Sequence, residues 1–361
     1  MKLIRNLAVC SLSLMAMSSC TMFNDNLSPC PDPVTELSFK YDYNMDMTDK
    51  FADEVHCLDL YLFDESGKIV TTHHEESNDA IKNKGFKISK NLLPGKYTAV
   101  VFGGTSCQDA SFDKKFSENE NLTVTDLKVD MKNAYYYVYD QSTAYNTGGL
   151  YSELTEAEHR NLELHNLYYG SAVFEVPEDE DVTVVPPINM QRDTNTILVN
   201  IINENGKALN RNDCHLILKD DNNTFDYKND LQQTGIIYYR PYLKNDQDKL
   251  NALNAQFTIS RLISANKPQL ILKASDDIEA DKVKPGENIE NHALIVDVLA
   301  KIREYKEKQE ETVKSMPEQE YLDRENKWLI EITIPDDASW LDAKVEVKNW
   351  DVIENPVYDF E

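Results

Sequence analysis

The feature that most constrains the fold is a period-two alternation of apolar and polar residues in the first half of the chain. Leu37, Phe39 and Tyr41 alternate with polar neighbours, and residues 57–63 (CLDLYLF) run into a turn at residues 64–67 (DESG). Successive side chains of a strand point to opposite faces, so the alternation predicts half-buried strands and the turn predicts a β-hairpin. Helical spacing is rare in this half, which is therefore predicted to contain little helix.

The chain has 361 residues, enough for two domains, and an acidic stretch at residues 177–181 (PEDED) indicates the boundary between them. About seven short strands separated by turns favour a β-sandwich over a βαβ sheet. We predict a mainly β protein with one sandwich at residues 34–176, a linker at residues 177–187 and a second sandwich at residues 188–361. The second sandwich contains one predicted amphipathic helix, at about residues 289–313, where apolar residues recur at helical spacing.

The remaining strand predictions come from short apolar runs bounded by turn residues. In the first half they lie at residues 97–102, 122–131 and 134–139. In the second half they lie at residues 196–202, 214–218, 235–239, 256–259, 269–272, 328–334 and 344–353.

The N-terminus has the pattern of an export signal. Lys2 and Arg5 precede an apolar stretch at residues 7–17, which is shorter than the roughly 20 residues needed to cross a bilayer. We therefore predict a cleaved signal peptide rather than a membrane-spanning helix.

The end of this signal resembles the acylation site of bacterial lipoproteins, with small residues directly before a cysteine at residues 17–20 (MSSC). This predicts a signal peptide at residues 1–19, a lipid on Cys20 and a flexible, proline-rich tether at residues 20–33. Several acyl chains on one residue would anchor a protein stably. The alternative is an ordinary cleavage site with Cys20 as a free thiol.

The charge excludes one class of function. The chain carries 63 acidic against 37 basic residues, a net charge of −26, and removal of Lys2 and Arg5 with the signal leaves −28. Nucleic-acid affinity depends on a basic surface, so a nucleic-acid partner is not expected. Attachment to an anionic membrane would likewise have to come from lipid rather than from charge.

Four cysteines remain after Cys10 and Cys20 are set aside: Cys30, Cys57, Cys107 and Cys214. In an exported protein, four cysteines allow three disulfide pairings. Cys30 and Cys107 lie in loop-like sequence and are the pair we favour. Cys214 alternates with apolar residues, which favours a buried thiol.

No motif predicts catalysis or a cofactor. The sequence contains no glycine-rich phosphate loop, nucleophile elbow or zinc-type Cys/His spacing, so neither a metal nor another cofactor is predicted. Residues 73–76 (HHEE) are interpreted as a solvated loop. Residues 220–226 (DDNNTFD) resemble a calcium loop but lack its glycine at position six and its glutamate at position twelve.

Two further readings rest on abundant residue types. Among 63 acidic residues some carboxylate pairs will have glycosidase spacing by chance, so a hydrolase has no positive support. The run at residues 135–137 (YYY) could stack on sugars, but alternating core and surface positions of a strand explain it better.

Several short segments, in the same order along most of the chain, together resemble the FimB-type fimbrillin-associated anchor lipoproteins of the Bacteroidetes. These segments are residues 58–67 (LDLYLFDESG), 92–97 (LLPGKY), 102–104 (FGG), 167–170 (LYYG), 192–199 (RDTNTILV), 319–325 (QEYLDRE) and 349–350 (NW). Phe102 stands where the family often has tryptophan. Acidic residues that often follow the lipidated cysteine directly begin here only at Asp25.

The resemblance implies two transthyretin-like β-sandwiches and a structural, non-enzymatic subunit at the base of a cell-surface fimbria. Such a subunit would hold the stalk to the outer membrane through its lipid, limit its length, and bind fimbrillin subunits by β-strand exchange. An arginine-directed cut matures the stalk fimbrillins, whereas an anchor must keep its lipidated end. Here the first arginine after Cys20 is Arg160. A glycan-binding surface lipoprotein is the alternative, suggested by the 19 tyrosines.

Overall fold

The computed structural model describes residues 33–105, 122–130, 165–206, 214–233, 235–239, 241, 243–246, 252–274, 293–335 and 342–350. Over these residues the protein is mainly β, as predicted. The strands are β1 (Val34–Lys40), β2 (Cys57–Asp64), β3 (Ile69–Glu75), β4 (Lys87–Asn91), β5 (Gly95–Gly104), β6 (Lys128–Asp130), β7 (Leu167–Val176), β8 (Val182–Val184), β9 (Ile188–Arg192), β10 (Thr194–Asn203), β11 (Cys214–Asp220), β12 (Thr224–Asp226), β13 (Ile237–Tyr239), β14 (Leu243–Asp246), β15 (Ala252–Ser260), β16 (Gln269–Ala274), β17 (Leu294–Asp297), β18 (Lys327–Ile334) and β19 (Lys344–Lys348). The helices are α1 (Phe51–Glu54), α2 (Asn78–Ile81), α3 (Val298–Lys306), α4 (Glu311–Lys314) and α5 (Glu318–Arg324), with a 3₁₀ turn at Val124–Asp126.

The first half forms an eight-stranded sheet in the order β3-β2-β5-β7-β9-β1-β4, with β8 added beside β1. The predicted hairpin is confirmed as β2 and β3, which pair antiparallel. The two ends of this sheet come together, since the Lys90 ammonium on β4 donates to the Thr72 carbonyl on β3 at 3.1 Å. The curled sheet thus encloses a core of its own, which includes Leu37, Leu60 and Tyr168.

The second half forms a sandwich of two sheets, in the orders β14-β15-β10-β18-β19 and β13-β11-β16-β17. Strand β10 is central, because it pairs antiparallel with β15 and parallel with β18. Apolar residues of β10, such as Val199, share a core with Leu216 and Leu272 of the opposite sheet. A β-sandwich was predicted for this half, and the fold class is confirmed.

The two halves share one apolar core. Tyr61 and Phe102, on the outer face of the first sheet, belong to the same cluster as Ile197 and Trp328 of the second sandwich. Strand β2 is therefore buried on both faces, which explains why its sequence is almost continuously apolar at residues 60–63 (LYLF). A short ladder of β6 with β12 also links residues of the two halves.

Two predicted boundaries need correction. Strands β8 and β9, assigned to the linker and to the second domain, belong to the first sheet: β8 pairs with β1, and β9 pairs with β1 and β7. The chain passes into the second sandwich only at Asp193. The predicted helix at residues 289–313 is wrong at its start, since residues 294–297 form β17 and the helix begins at Val298.

Most other strand predictions are confirmed within a few residues. The exception in the described ranges is residues 122–131, where a 3₁₀ turn precedes the short strand β6. The strand prediction at residues 134–139 lies outside the described residues.

Candidate functional site

Three of the predicted site residues, Cys20, Cys30 and Cys107, lie outside the described residues. Lipidation of Cys20 and the disulfide between Cys30 and Cys107 therefore stay predictions. Cys57 is buried, and its thiol donates to the Gly104 carbonyl oxygen on the neighbouring strand at 3.7 Å. Its environment is that of a small apolar core residue.

The histidines at residues 73–74 lie on strand β3, so the predicted loop is wrong. His74 faces Asp59 across the β2–β3 ladder and hydrogen bonds to it, while its other ring nitrogen is 2.7 Å from Glu76. Burial lowers the pKa of His74, but the hydrogen bonds to Glu76 and Asp59 outweigh it, so the pKa is raised. His74 and Asp59 thus form a surface contact between β3 and β2.

In the calcium-like segment at residues 220–226, Asn222 forms hydrogen bonds with other parts of the protein. The Asn222 amide donates to the carbonyls of Ser260 and Arg261 at 3.1 and 3.0 Å, and its oxygen accepts from the Tyr239 hydroxyl at 2.8 Å. In the described part of the chain, no three His, Cys, Asp or Glu side chains are grouped so that they could hold a metal ion. The hydrogen bonds of Asn222 give that side chain a structural role.

A set of buried and half-buried polar side chains lies where the chain crosses from the first sheet to the second. We call this set the polar junction; it comprises Asn166, Arg192, Asp193, Asn195, Asn229, Arg261, Gln319, Asp323 and Asn326. Five of these nine residues lie in two of the segments that carry the family resemblance, residues 192–199 and 319–325. A sixth, Asn326, directly follows the second segment. The fold brings these segments together from distant parts of the sequence.

Arg192 ties three elements together. It is only 4% exposed at the end of β9. Its guanidinium donates to the side-chain oxygens of Asn326 at 2.9 Å and Asn166 at 2.7 Å, and also to Thr196 on β10 at 3.1 Å. The Asn326 amide in turn donates to the Tyr41 hydroxyl at 3.2 Å. A buried guanidinium is stabilised only when its donors are satisfied, and these acceptors supply that.

Arg261 and Asp323 form the ionic part of the junction. Two guanidinium nitrogens of Arg261 donate to the two carboxylate oxygens of Asp323 at 2.7 and 2.8 Å. This bidentate geometry fixes the loop after β15 against α5. Gln319 extends the contact one helical turn away, because its amide donates to Asp323 at 2.8 Å and to the Leu262 carbonyl at 3.0 Å.

Asp193 lies at the crossing itself and is 1% exposed. One carboxylate oxygen accepts from the Asn229 amide at 2.8 Å, whereas the other has no hydrogen-bond partner among the described residues. Burial raises the pKa of Asp193 to about 7, against the lowering effects of Arg261 and Asn229. A raised carboxyl pKa is common in active sites. This carboxyl, however, is closed off from solvent, so its surroundings are those of a structural group.

An aromatic–cation contact completes the side of the junction that faces the first half. The Arg324 guanidinium lies over the Tyr43 ring, 4.3 Å from its centroid, and donates to the Asn44 carbonyl at 3.3 Å.

Sequence reasoning singled out the segments containing Arg192, Asp193 and Arg324. It missed Asn166, Arg261 and Asn229, which stand alone in the sequence with no local pattern.

The fold and the junction together define a class: a two-part β-sandwich protein whose distinctive buried residues connect its halves. The sequence matches the family of fimbrillin-A associated anchor proteins Mfa1 and Mfa2 across residues 27–356, and the chain belongs to that family. This is a family of fimbrial anchor and structural proteins rather than of enzymes, and it places the protein with cell-surface fimbriae. No curated protein sequence matches the chain.

Solved structures show the same fold. A candidate adhesin from Bacteroides thetaiotaomicron is 24% identical, with a TM-score of 0.66, and the match covers 90% of this chain and 98% of that one. A candidate polysaccharide-binding protein from the same organism is 22% identical, with a TM-score of 0.64 over 88% and 96%. The fimbrial anchor protein Mfa2 from Porphyromonas gingivalis is 14% identical, with a TM-score of 0.55 over 87% and 95%.

Of the helices that the structure describes, none combines the length and hydropathy needed to cross a bilayer.

Proposed function

We propose that this protein is the lipid-anchored subunit at the base of a fimbria, where it holds the stalk to the outer membrane and limits its length. The observation that carries the proposal is the family match across residues 27–356, which begins just after an acylation pattern at Cys20. Family membership supports the fimbrial role, and Cys20 supplies the chemistry for attachment.

Attachment is tested by a Cys20→Ala variant expressed in cells. Without the acylated sulfur, we expect the protein to leave the outer-membrane fraction and appear in soluble fractions after export. Cys30→Ala, which removes a nearby cysteine but keeps the lipid site, should remain in the membrane fraction. A Cys20→Ala protein that stays in the membrane would refute lipid anchoring.

The role at the base is tested by deleting the gene and measuring fimbriae by electron microscopy. Loss of the subunit that ends and holds the stalk should give longer fimbriae that are shed into the medium. Fimbriae that remain attached at normal length would contradict the proposal.

Partner binding is proposed to occur by strand exchange, in which backbone hydrogen bonds supply affinity. The chain has no arginine between Cys20 and Arg160, which supports retention of its lipidated end.

Within the described residues, the tyrosines lend little support to the glycan-binding alternative. Of the eleven tyrosines in the described residues, eight are buried and so cannot stack on a sugar ring. Affinity electrophoresis on host and plant glycans would distinguish the two functions, since an anchor should migrate without retardation.

A further inference from the structure

The structure contains a groove between helix α3 and strand β19. Its main cavity measures about 360 Å³. One wall is formed by Lys301, Glu304 and Tyr305 on α3 and by Lys308 in the turn after it. The other wall is residues 343–347. Strand β19 lies at the end of its sheet, where it pairs with β18 on one side.

The groove follows the free backbone edge of β19 rather than one of its faces. In a strand, alternate side chains point to opposite faces, yet five consecutive residues, 343–347, all line the cavity. Consecutive residues can all line one cavity only if that cavity runs along the backbone edge of the strand. Among the described strands, β18 alone pairs with β19. An unpaired strand edge presents backbone donors and acceptors that a further strand can pair with.

The groove continues beyond the strand. A second cavity of about 140 Å³ is lined by Tyr305, which also lines the first, and by Lys348 and Trp350. Trp328 also lines this cavity, and its indole N–H is buried without a hydrogen-bond partner among the described residues. Residues 343–350 would span about 26 Å in extended conformation, the length of an eight-residue strand.

The charge of the groove is opposite to that of the molecule. The two cavities are lined by five lysines and three glutamates, a formal charge of about +2, whereas the whole chain carries −26. Glu346 is neutralised by Lys344 at 3.0 Å and Lys348 at 3.1 Å. Lys308 and Lys327 lie in no ion pair within the described part of the chain, so they can meet an external acid.

We propose that this groove accepts an extended, acidic segment of a partner fimbrial subunit, which adds to β19 as a further strand. A groove with an edge strand on one wall and a helix on the other suits β-augmentation, in which the backbone ladder supplies affinity and side chains set specificity. The lysines favour an acidic strand and repel a basic one. The inference rests on the proposed anchoring function and names the surface that performs it.

The test uses the full-length protein in detergent and fluorescently labelled eight-residue peptides measured by fluorescence anisotropy. An alternating valine–glutamate peptide should bind, and its affinity should fall with added salt. The same peptide N-methylated at alternate residues keeps its charges but loses backbone donors, so it should not bind. A valine–lysine peptide should not bind either. Equal binding of the methylated peptide would overturn strand addition.

Charge reversal locates the site. The double variant Lys308→Glu/Lys327→Glu should weaken binding of the valine–glutamate peptide by roughly tenfold or more. Lys82→Glu/Lys84→Glu makes the same charge change at two exposed positions of the first half and should bind like wild type. Equal weakening by both pairs would overturn the assignment. So would strong binding only after deletion of residues 351–361, because the groove would then belong to the chain's own end.

A cellular measurement separates this inference from the anchoring proposal. In cells, the Lys308→Glu/Lys327→Glu variant should stay in the outer membrane but copurify with less fimbrial subunit than wild type. Unchanged copurification, together with lost peptide binding, would overturn the groove as partner site and leave the anchoring proposal standing. Normal attached fimbriae after gene deletion would instead remove the anchoring proposal, whatever the peptides show.

Discussion

At the scale of single residues, the most unusual groups are two buried carboxyls, Asp193 in the polar junction and Asp220 at the end of β11. Burial raises the pKa of each to about 7. Each also has one carboxylate oxygen without a hydrogen-bond partner among the described residues. A carboxyl whose pKa is higher in the folded than in the unfolded protein favours folding in its protonated form and opposes it when ionised.

The sign of the pH effect follows. Between the ordinary carboxyl pKa near 4 and about 7, the folded protein holds a proton on Asp193 that the unfolded chain has lost, so stability falls as pH rises. Asp193→Asn removes this slope. The difference in unfolding free energy between the variant and wild type should therefore shift in favour of the variant by up to about 4 kcal/mol as the pH rises from about 4 to about 8. Urea unfolding at several pH values measures it.

Asp230→Asn is the matched control, because it removes an exposed carboxyl from the loop after β12. Its stability difference from wild type should change little across the same range. A difference for Asp193→Asn that is equally flat would contradict a raised pKa at the junction.

At the scale of elements, the contact between β7 and β9 explains why the first domain extends past the acidic stretch. Gly170 on β7 faces β9, and a Cβ there would lie 2.6 Å from the Met190 sulfur and 2.9 Å from the Asn189 carbonyl oxygen. The side chain is absent because the neighbouring backbone occupies its place. This close approach lets β9 join the sheet between β7 and β1.

Gly170→Ala should therefore push β9 away and cost about 1–3 kcal/mol in unfolding free energy. The loss should appear in denaturant unfolding, together with faster amide exchange in β9. Val173→Ala on the same strand, where the side chain is 77% exposed, should change stability by less than about 0.5 kcal/mol. Wild-type stability for Gly170→Ala would show that β9 is not held against β7 in this way.

Local patterns predicted most strands but not where elements pair. Leu294 lies four residues before Val298, as on one face of a helix, and also alternates with Val296, as in a strand; only pairing with β16 decides for the strand. The acidic stretch at residues 177–181 indicated a boundary, but β8 and β9 beyond it return to the first sheet. The polar junction was even less accessible: Arg261 and Asp323 are 62 residues apart, and no local signal links them.

At the scale of the whole molecule, the order of the first sheet makes the two parts of the chain inseparable. Strands β7 and β9 lie between β5 and β1, so segments from after Arg160 are inserted between segments from before it. Strands β5 and β7 pair over all ten residues of each. The common apolar core adds buried contacts between the same two parts.

A break at Arg160 should therefore leave the protein assembled. With the recognition site of a specific protease inserted after Arg160, cleavage of membrane fractions should keep the C-terminal piece with the membrane in buffer and release it only in concentrated urea. The same site placed within residues 20–33, before β1, should release the whole folded part in buffer. Prompt release after cleavage at Arg160 would contradict the interleaved sheet. Retention in buffer would mean that an arginine-directed cut cannot detach this protein from its lipid while the fold persists.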